Sequence, residues 1–484
     1  MKFLPSSIDK DNIMLCNMMY NRGSQASDYK DSLDIVYKDL TTGEKVLHTI
    51  TQPEIEIFFV KPEHRTFEHN KPYIEISKCD PVLTTIRNIP FVVAKDSGES
   101  GQRFVRDCID RKDFRKMNEI LRYYYVFGAD MDAESYYRAQ WLLNYDNEAV
   151  KPVTKAFLDI EVDTIDVSGF PRDGECPINA VSVVDGAGKA VYTFLLDNSE
   201  RNPQIQEFKD NINDFIDELH EAFDESYGVL DYRIYMYTDE RKMLKDLFKL
   251  INTLKRDFLL IWNMGFDIPY IISRSEVLGM DPSEIICHRD FKNPQCSFIK
   301  DTRNFQVANK TDRFVCSSYT KYVDQMILYA ATRKGGKELR SNSLNNVARA
   351  ELGDSKLDYS DEADIKTLPY ANYRKFVMYN IKDTLLQFGI ERRVCDVDDL
   401  YLSSYLNCCE YDKVFKQTYI LKRRCYYEYL LMGFILGVNT NVFVTDDDGS
   451  SYSGAVNNCR FILNCGDKLV RSQLLNYNSD IMVA

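Results

Sequence analysis

The sequence predicts an α/β (α+β) protein of several domains. Strand-like and helical runs alternate between residues 155 and 395, which is typical of a sheet with helices packed on it. The chain has 484 residues, a length that fits about three domains. Its content of 44% hydrophobic and 28% charged residues is that of a globular protein and excludes a disordered or fibrous one.

Changes in composition along the chain predict three domains. Residues 1–150 form an N-terminal domain in which strand-like runs such as 55–60 precede a charged, aromatic, helical stretch at 111–128. Residues 151–395 form the α/β domain. Residues 396–484 form a helical region followed by a turn-rich, strand-like tail.

The first strands of the α/β domain are predicted by apolar, β-branched runs. KAFLDIEV at 155–162 predicts a core strand. The runs at 180–184 and 190–196 flank DGAGK, a sequence typical of a tight turn, and therefore predict a hairpin.

The remaining strands of the domain alternate with helices. RIYMY at 233–237 predicts a strand, and Thr238 is the expected cap of a helix whose apolar residues recur at helical spacing from Met243 to Leu254. FLLIW at 258–262 predicts another strand, followed by a helix from about Pro269. This order predicts a mixed sheet with helices packed on it.

Five side chains of the α/β domain are candidates for chemistry. Asp159 and Glu161 are two apart on a strand, so both point to one face, in an apolar run where an unpaired carboxylate is costly. Asp267 lies at the start of a helix, where free N–H groups favour an anion. Tyr379 and Asp383 are four apart in a long helical pattern and share a face. Four such carboxylates suit a pair of divalent cations such as Mg²⁺, which can activate a water molecule and stabilise the leaving oxygen of a phosphodiester.

Each pattern also has a more ordinary interpretation. A D-x-E sequence on a strand is commonly a solvated hairpin edge, an aspartate after N-x-x-F is commonly a helix cap, and a Y-x-x-x-D pair is commonly a surface pair. The three patterns occur in order, each with the secondary structure that a catalytic site requires. Their combination therefore favours a site over three unrelated features.

These segments resemble the motifs of a known family. FLDIEVDT, IWNMGFDIPYI and YNIKDTLL are similar to the three exonuclease motifs of family B DNA polymerases, particularly the T-even-phage-like branch, and the resemblance covers roughly residues 120–395. It implies a ribonuclease-H-like domain with a two-metal (Mg²⁺ or Mn²⁺) 3′–5′ proofreading exonuclease site, which hydrolyses the 3′-terminal phosphodiester of DNA. Asp159 and Glu161 take the first motif's acidic positions, Asp267 the second's and Asp383 the third's.

The third motif implies the subclass. The histidine subclass places a histidine five residues before the last aspartate, where this chain has Met378, whereas Tyr379 fits the tyrosine subclass. Its phenol would orient the attacking water, since an ordinary pKa of about 10 leaves it protonated. Asn263 and Phe266, in the second motif, are expected to lie near the substrate strand.

The polymerase signatures of the family are absent from the sequence: D-x-x-S-L-Y-P-S, K-x-x-x-N-x-x-Y-G and D-T-D do not occur. SYSGAV at 451–456 resembles the segment before the first of them, so 396–484 would be a helical connector and the beginning of a palm domain. The resemblance thus implies the N-terminal part of a polymerase, with a C-terminal half or subunit and a sliding clamp as expected partners. The alternatives are a non-catalytic, DNA-clamping half of a split polymerase and a stand-alone 3′–5′ repair exonuclease.

Basic residues predict contacts with single-stranded 3′ ends and with primer–template DNA. Two clusters are candidates, one around a Gly-Gly loop and one among aromatic residues: Arg333, Lys334, Lys337 and Arg340, and Lys413, Lys416, Lys422, Arg423 and Arg424. The mixed basic and aromatic stretch 103–127 suits stacking on single strands. Each of these could equally be a solvated helix face.

Other features of the composition exclude further classes. Thirteen cysteines form no C-x-x-C pair, and Cys287-His288 with Cys296 lacks the second pair of a zinc site, so reduced thiols are expected. No segment fits a signal peptide or a membrane-spanning helix. We therefore expect a cytoplasmic protein (in the host cytoplasm or nucleoid if it is viral) that is not secreted and has no membrane partner. The net charge of −13 argues against a surface covered in phosphate contacts but not against a local basic channel.

Overall fold

The computed structural model describes most of the chain up to residue 437. The described ranges are 3–5, 8–23, 28, 30–65, 73–145, 152–169, 171–336, 339–358 and 364–437. The predicted strand-like tail and the segment at 451–456 lie outside them, as does Lys337. The chain divides into two compact units, one formed by Met1–Ala149 with Leu402–Ala484 (unit 1) and one by Val150–Tyr401 (unit 2).

Strands and α-helices are numbered in chain order over the described residues. The strands are β1 (Ile13–Asn21), β2 (Ser32–Asp39), β3 (Lys45–Thr51), β4 (Glu54–Val60), β5 (Tyr73–Glu75), β6 (Cys79–Thr85), β7 (Val126–Phe127), β8 (Lys155–Val162), β9 (Ile178–Asp185), β10 (Ala190–Leu196), β11 (Asp231–Tyr237), β12 (Phe258–Ile261), β13 (Cys296–Ile299), β14 (Arg313–Cys316), β15 (Lys321–Asp324) and β16 (Phe434–Leu436). The helices are α1 (Ile89–Asp96), α2 (Gly98–Asp110), α3 (Phe114–Met117), α4 (Ala133–Tyr145), α5 (Gln204–Asp210), α6 (Ile212–Tyr227), α7 (Glu240–Leu254), α8 (Met264–Val277), α9 (Pro282–Ile286), α10 (Gln325–Thr332), α11 (Leu344–Leu352), α12 (Leu368–Ala371), α13 (Tyr373–Val394), α14 (Asp396–Leu406) and α15 (Gln417–Leu431).

Within its described residues, unit 1 is built from small antiparallel sheets. The strand orders are β1-β2-β3, β6-β4-β7 and β16-β5. Apolar side chains of these strands and of α4 share one core, in which Tyr136 and Trp141 are almost fully buried beside Leu33, Ile35 and Ile57.

The predicted helical stretch at 111–128 is wrong in its position. The long helix of this region is α2, which ends at Asp110, and it is followed by a turn, by the short helix α3 and by a 3₁₀ turn up to Arg122. Lys112 adopts a left-handed backbone (φ +54°), which terminates the first helix, and the Asp113 carboxylate accepts a hydrogen bond from the Lys116 N–H and so caps the next one. The charged and aromatic composition of this stretch indicated a helix, but these two backbone features divide it.

Unit 2 contains a six-stranded mixed sheet, which confirms the predicted α/β fold class. The strand order is β11-β10-β9-β8-β12-β15. β8, β12 and β15 are parallel, β9 is antiparallel to β8 and to β10, and β11 is parallel to β10. The hairpin predicted around DGAGK is present, with Asp185 opposite Ala190.

Two helix starts in unit 2 differ from the prediction. Asp239, not Thr238, caps α7, because its carboxylate accepts a hydrogen bond from the Arg241 N–H. α8 begins at Met264, five residues before Pro269, because Asn263 adopts a left-handed backbone (φ +65°) that turns the chain directly from β12 into the helix. Asp267 therefore lies within the first turn of α8.

The longest helix, α13, lies across the sheet and packs against β8 and β9. Its buried face runs most of its length and includes polar residues, among them Asn380 and Asp383. At Gly389 a Cβ atom would come within 2.9 Å of the side chains of Leu352 and Tyr227, so only glycine permits this close helix packing.

Within the described ranges, none of the helices has both the length and the apolar composition needed to cross a membrane.

Candidate active site

The first two candidate acids lie on strand β8, in the middle of the sheet. Asp159 is opposite Ser182 of β9 and Glu161 is opposite Ala180. Because side chains alternate along a strand, the two carboxylates point to the same face. Leu158 and Ile160 point to the opposite face and enter the apolar core. That face is the one on which α13 packs.

Helix α13 brings Tyr379 and Asp383 over the same face of the sheet. Asp383 is 2% exposed and Tyr379 is 5% exposed, so neither is the surface pair of the ordinary interpretation. One oxygen of each of Asp159, Glu161 and Asp383 lies within 4.8 Å of the other two. Among the residues that the structure describes, these three form the one group of metal-ligating side chains that is this compact.

Asp267 is a buried neighbour of this group and not a member of it. Its side chain is 4% exposed at the start of α8, and the charges of Asp159 and Glu161 act on it. Of the four predicted carboxylates, the structure therefore brings three into one cluster and places the fourth beside it.

A lysine enters the carboxylate cluster. Lys356 Nζ donates to Asp383 Oδ2 at 2.5 Å and to the Tyr379 hydroxyl oxygen at 3.1 Å. It comes from the segment after α11, and the charge of Asp159 also acts on it. The second carboxylate oxygen of Asp383, Oδ1, is buried and has no hydrogen-bond partner among the described residues.

Asn380 holds the carboxylate of Asp159 in place. Its Nδ2 donates to Asp159 Oδ2 at 3.0 Å, and its own Oδ1 accepts a hydrogen bond from Ser182 Oγ at 2.6 Å. Asn380 and Ser182 are both fully buried. This chain of hydrogen bonds links α13, β9 and β8 and limits the rotation of the Asp159 side chain.

Carboxylates outnumber the single ammonium group of Lys356 in and beside the cluster. Burial, reinforced by the neighbouring carboxylates, raises the pKa of Asp159, Glu161 and Asp267 above the ordinary values. Burial also raises the pKa of Asp383, although the Lys356 ammonium opposes the shift. A divalent cation would relieve this repulsion, and oxygen ligands are those that Mg²⁺ and Mn²⁺ prefer.

The pKa of Tyr379 is raised by burial first and by the charge of Asp383 second. The phenol is therefore protonated at neutral pH, as the sequence predicts. Its hydroxyl accepts a hydrogen bond from Lys356 and lies against Asp383, so its position is fixed from two sides.

A cavity of about 600 Å³ lies beside the start of α8. Asn263 and Phe266, the predicted substrate-strand residues, line it together with Phe298 and Lys300 from the region of β13. Asn263 is exposed, and the Phe266 ring is half-buried against Tyr270 with the ring centres 5.5 Å apart. The lining is mixed, since Asp173, Asn263 and Lys300 lie among the apolar side chains of Phe266, Ile272 and Phe298.

Most of the predicted DNA-binding cations are engaged within their own unit. Arg333 pairs with Asp396 and Glu351 and stacks on Tyr329. The corresponding partners in unit 1 are Glu410 for Lys413, Asp130 for Lys422, Asp132 for Arg423 and Glu428 for Arg424.

Three cations of the two clusters are exposed and have no ion pair among the described residues, namely Lys334, Arg340 and Lys416. Phosphate contacts require charge that is free to approach the backbone, so these three are the better candidates.

Two residues that contact the carboxylate cluster, Asn380 and Lys356, were not predicted from the sequence. Asn380 could have been found, because it is three residues before Asp383 and therefore lies on the same helix face. Lys356 follows α11 in an irregular segment, where no periodic spacing connects it with the acids. Only the tertiary fold reveals its position.

Comparison with known proteins gives two matches. Residues 132–347 match the family model described as DNA polymerase family B, exonuclease domain. A DNA-directed DNA polymerase from Escherichia phage RB69 is 25% identical over 265 residues, which are 52% of this chain and 26% of that protein. The chain thus spans about a quarter of the length of this curated relative. The six-stranded mixed sheet agrees with the ribonuclease-H-like fold that the motifs imply.

Proposed function

Because the chain carries the exonuclease domain of family B DNA polymerases over residues 132–347, we propose that it hydrolyses DNA from the 3′ end as a proofreading nuclease. The single observation that carries the proposal is the cluster of Asp159, Glu161 and Asp383, whose oxygens lie within 4.8 Å of one another. A strand and a helix far apart in sequence supply these acids, and the fold brings them together despite their mutual repulsion.

We propose that the cluster, with Asp267 beside it, holds two divalent cations, Mg²⁺ or Mn²⁺. The donor set fits such ions, since it consists of carboxylates and includes Asp383 Oδ1, which is buried and accepts no hydrogen bond from any described residue. When bound, the cations would supply an activated water at neutral pH and would stabilise the leaving oxygen.

The chain's own residues position the reactants. Tyr379 keeps its proton and would orient the attacking water by one hydrogen bond. Lys356 would stabilise negative charge near the same hydroxyl. Asn380 holds Asp159 in a fixed rotamer through its hydrogen bond to Oδ2, so that carboxylate needs little reorganisation to bind a cation.

We propose that the terminal nucleotides of a single-stranded 3′ end lie against Asn263 and Phe266. An exposed amide and a half-buried aromatic ring at a cavity suit hydrogen bonding and stacking with an unpaired base. Lys334, Arg340 and Lys416 are the proposed phosphate contacts for single-stranded and primer–template DNA.

None of the three palm signatures of the family occurs in the 484 residues. We therefore propose that nucleotide addition uses residues from outside them, such as those of a C-terminal polymerase half or subunit. A sliding clamp is a further proposed partner.

The proposed activity is tested by digestion of a 5′-labelled single-stranded oligonucleotide in Mn²⁺ or Mg²⁺. The full chain should shorten the strand from its 3′ end and release mononucleotides. Asp159→Ala combined with Glu161→Ala should abolish digestion, because two of the proposed metal ligands are lost.

The matched control is Asp166→Ala, which removes an exposed carboxylate that pairs with Arg201 outside the cluster, and it should digest DNA like the parent. Equal digestion by the double variant and the parent would contradict the site assignment. Absence of digestion by the parent in both metals would contradict the proposed activity.

A further inference from the structure

A basic and aromatic corner lies in unit 1, where α2 ends and α3 begins. All six residues from 111 to 116 are exposed, and four of them are cations: Arg111, Lys112, Arg115 and Lys116. Phe114 lies among them with 58% of its surface exposed. We call residues 111–116 the α2–α3 corner.

The cations of the corner differ in their pairing from other cations of unit 1. Among the described residues, none of the four forms an ion pair, in contrast to Arg423 or Lys422 of the same unit. The one acid within the corner, Asp113, uses its carboxylate to cap α3 through the Lys116 N–H. The corner is therefore locally positive in a chain with a net charge of −13.

The corner is presented on a fixed scaffold. α1, α2 and α3 share a small core of their own, formed by Ala94, Val105, Cys108 and Met117. The left-handed backbone of Lys112 and the cap at Asp113 define the turn between the helices. Phe114 is the first residue of α3, so its ring stays in solvent although the helix itself is packed.

A second exposed aromatic follows soon after the corner. Tyr124 has 63% of its surface exposed, and Arg122 two residues earlier is exposed as well. The 3₁₀ turn that carries Arg122 packs against α2 and α3, so Arg122 adds a fifth cation to the surface formed by these helices.

We propose that the α2–α3 corner binds single-stranded nucleic acid, with its cations on the phosphates and Phe114 stacked on a base. Unpaired cations give contacts to a phosphate backbone, and every unpaired base presents a face on which an aromatic ring can stack. A duplex offers no such face, because its bases stack on each other. An acidic protein segment would use the cations but would gain little from an exposed phenylalanine. The binding requires neither metal nor hydrolysis, so it does not depend on the function proposed above.

The test uses the full chain in metal-free buffer, with binding of a fluorescein-labelled thymidine oligonucleotide followed by fluorescence anisotropy at several salt concentrations. Lys112→Ala combined with Lys116→Ala should make the slope of log affinity against log salt shallower by about 1.4, since each lost phosphate contact removes about 0.7. The matched control, Lys242→Ala combined with Lys249→Ala, removes two exposed lysines of α7 and should leave the slope as it is in the parent.

Stacking is tested separately from charge. Phe114→Ala should weaken binding of the single strand by at least roughly fivefold and leave binding of a blunt duplex unchanged, and Phe114→Trp should restore the single-strand affinity. The exposed position of Phe114 leaves the folding of these variants intact, which circular dichroism checks.

Two results would overturn the proposal. One is an unchanged salt slope in the double-lysine variant. The other is an unchanged single-strand affinity in Phe114→Ala together with equally effective competition by polyglutamate, which would indicate an acidic protein partner.

Discussion

The ammonium nitrogen of Lys356 lies 2.5 Å from Asp383 Oδ2, inside a cluster of three carboxylates. Burial alone would lower the pKa of this lysine, but the neighbouring carboxylates, Asp383 first and Asp159 with it, outweigh burial and hold the pKa above the ordinary value. The lysine is therefore charged at neutral pH. It offsets part of the repulsion among the acids when no metal is bound.

Replacement of this lysine should affect both rate and stability. Lys356→Met should slow exonuclease turnover by about 10²-fold, because one positioned donor near the reacting groups is lost. It should also lower the melting temperature of the metal-free protein, since the carboxylates lose their counter-charge. Rates at saturating Mn²⁺ and melting curves in EDTA measure the two effects.

Lys366→Met is the matched control, because Lys366 donates to the carbonyls of Val167 and Gly169 and not to the carboxylate cluster. Parental rates in Lys356→Met would show that the lysine has no part in hydrolysis.

Loss of the Asn380 hydrogen bond should weaken metal binding more than turnover. In Asn380→Ala, Asp159 loses the donor that orients it, and such partners of metal ligands typically change affinity by about 10–100-fold. The Mn²⁺ concentration for half-maximal activity should rise by that factor, with a smaller change in the rate at saturation. Ser182→Ala should raise the Mn²⁺ concentration for half-maximal activity by a smaller factor, because Ser182 contacts Asn380 and not Asp159. An unchanged Mn²⁺ requirement would mean that Asp159 needs no such support.

Tyr379 and Asp383 share a helix face, but their replacement should have unequal effects. Tyr379→Phe should slow hydrolysis by about 10²–10³-fold or less, since only one positioning hydrogen bond is removed. Asp383→Ala should remove nearly all activity, because a proposed metal ligand is lost. The two variants are compared at saturating Mn²⁺, so that metal depletion is not mistaken for loss of catalysis. If both variants lost all activity, Tyr379 would have a role beyond positioning the water, such as that of an obligatory proton acceptor.

A half-buried glutamate in unit 1, Glu134, should make stability depend on pH. Burial, reinforced by Glu410, raises the pKa of Glu134 to about 8 from the ordinary value of 4.5, although the Tyr20 N–H donates to its carboxylate at 2.7 Å. Between these two pH values the folded protein keeps a proton that the unfolded chain releases. The free energy of unfolding therefore falls as pH rises from about 4.5 to about 8.

Glu134→Gln keeps the acceptor oxygen but cannot ionise. The variant should be more stable than the parent at pH 8, and the difference should shrink at pH 5. Thermal melts at the two pH values measure it, with the exposed Glu119→Gln as control. A difference that is the same at both pH values would show that Glu134 does not titrate in this range.

The sequence predicted those parts of the fold that local patterns determine. The strands at 155–162 and 190–196 and the turn between β9 and β10 follow from β-branched runs and from DGAGK, and all are present. The two shared-face pairs of the site, Asp159 with Glu161 and Tyr379 with Asp383, depend only on the strand and helix periods.

The features that were missed depend on backbone conformation or on tertiary contacts. Left-handed residues at Lys112 and Asn263 moved helix boundaries by several residues. Lysine does not indicate such a turn, and asparagine indicates it less strongly than glycine does. Lys356 enters the site from an irregular segment. The pairing of Arg333 with Asp396 and of Arg423 with Asp132 likewise depends on packing, which composition does not reveal.

The hydrogen bond between Asn380 and Asp159 joins residues that are 221 positions apart in the sequence. Contacts of such long range form late in folding, because a large loop must close before they contribute any stability. A chain in which β8 and α13 have not yet met lacks the assembled carboxylate cluster, and it has no compact site for a divalent cation. A cation that binds only the assembled cluster selectively stabilises chains in which unit 2 has completed folding.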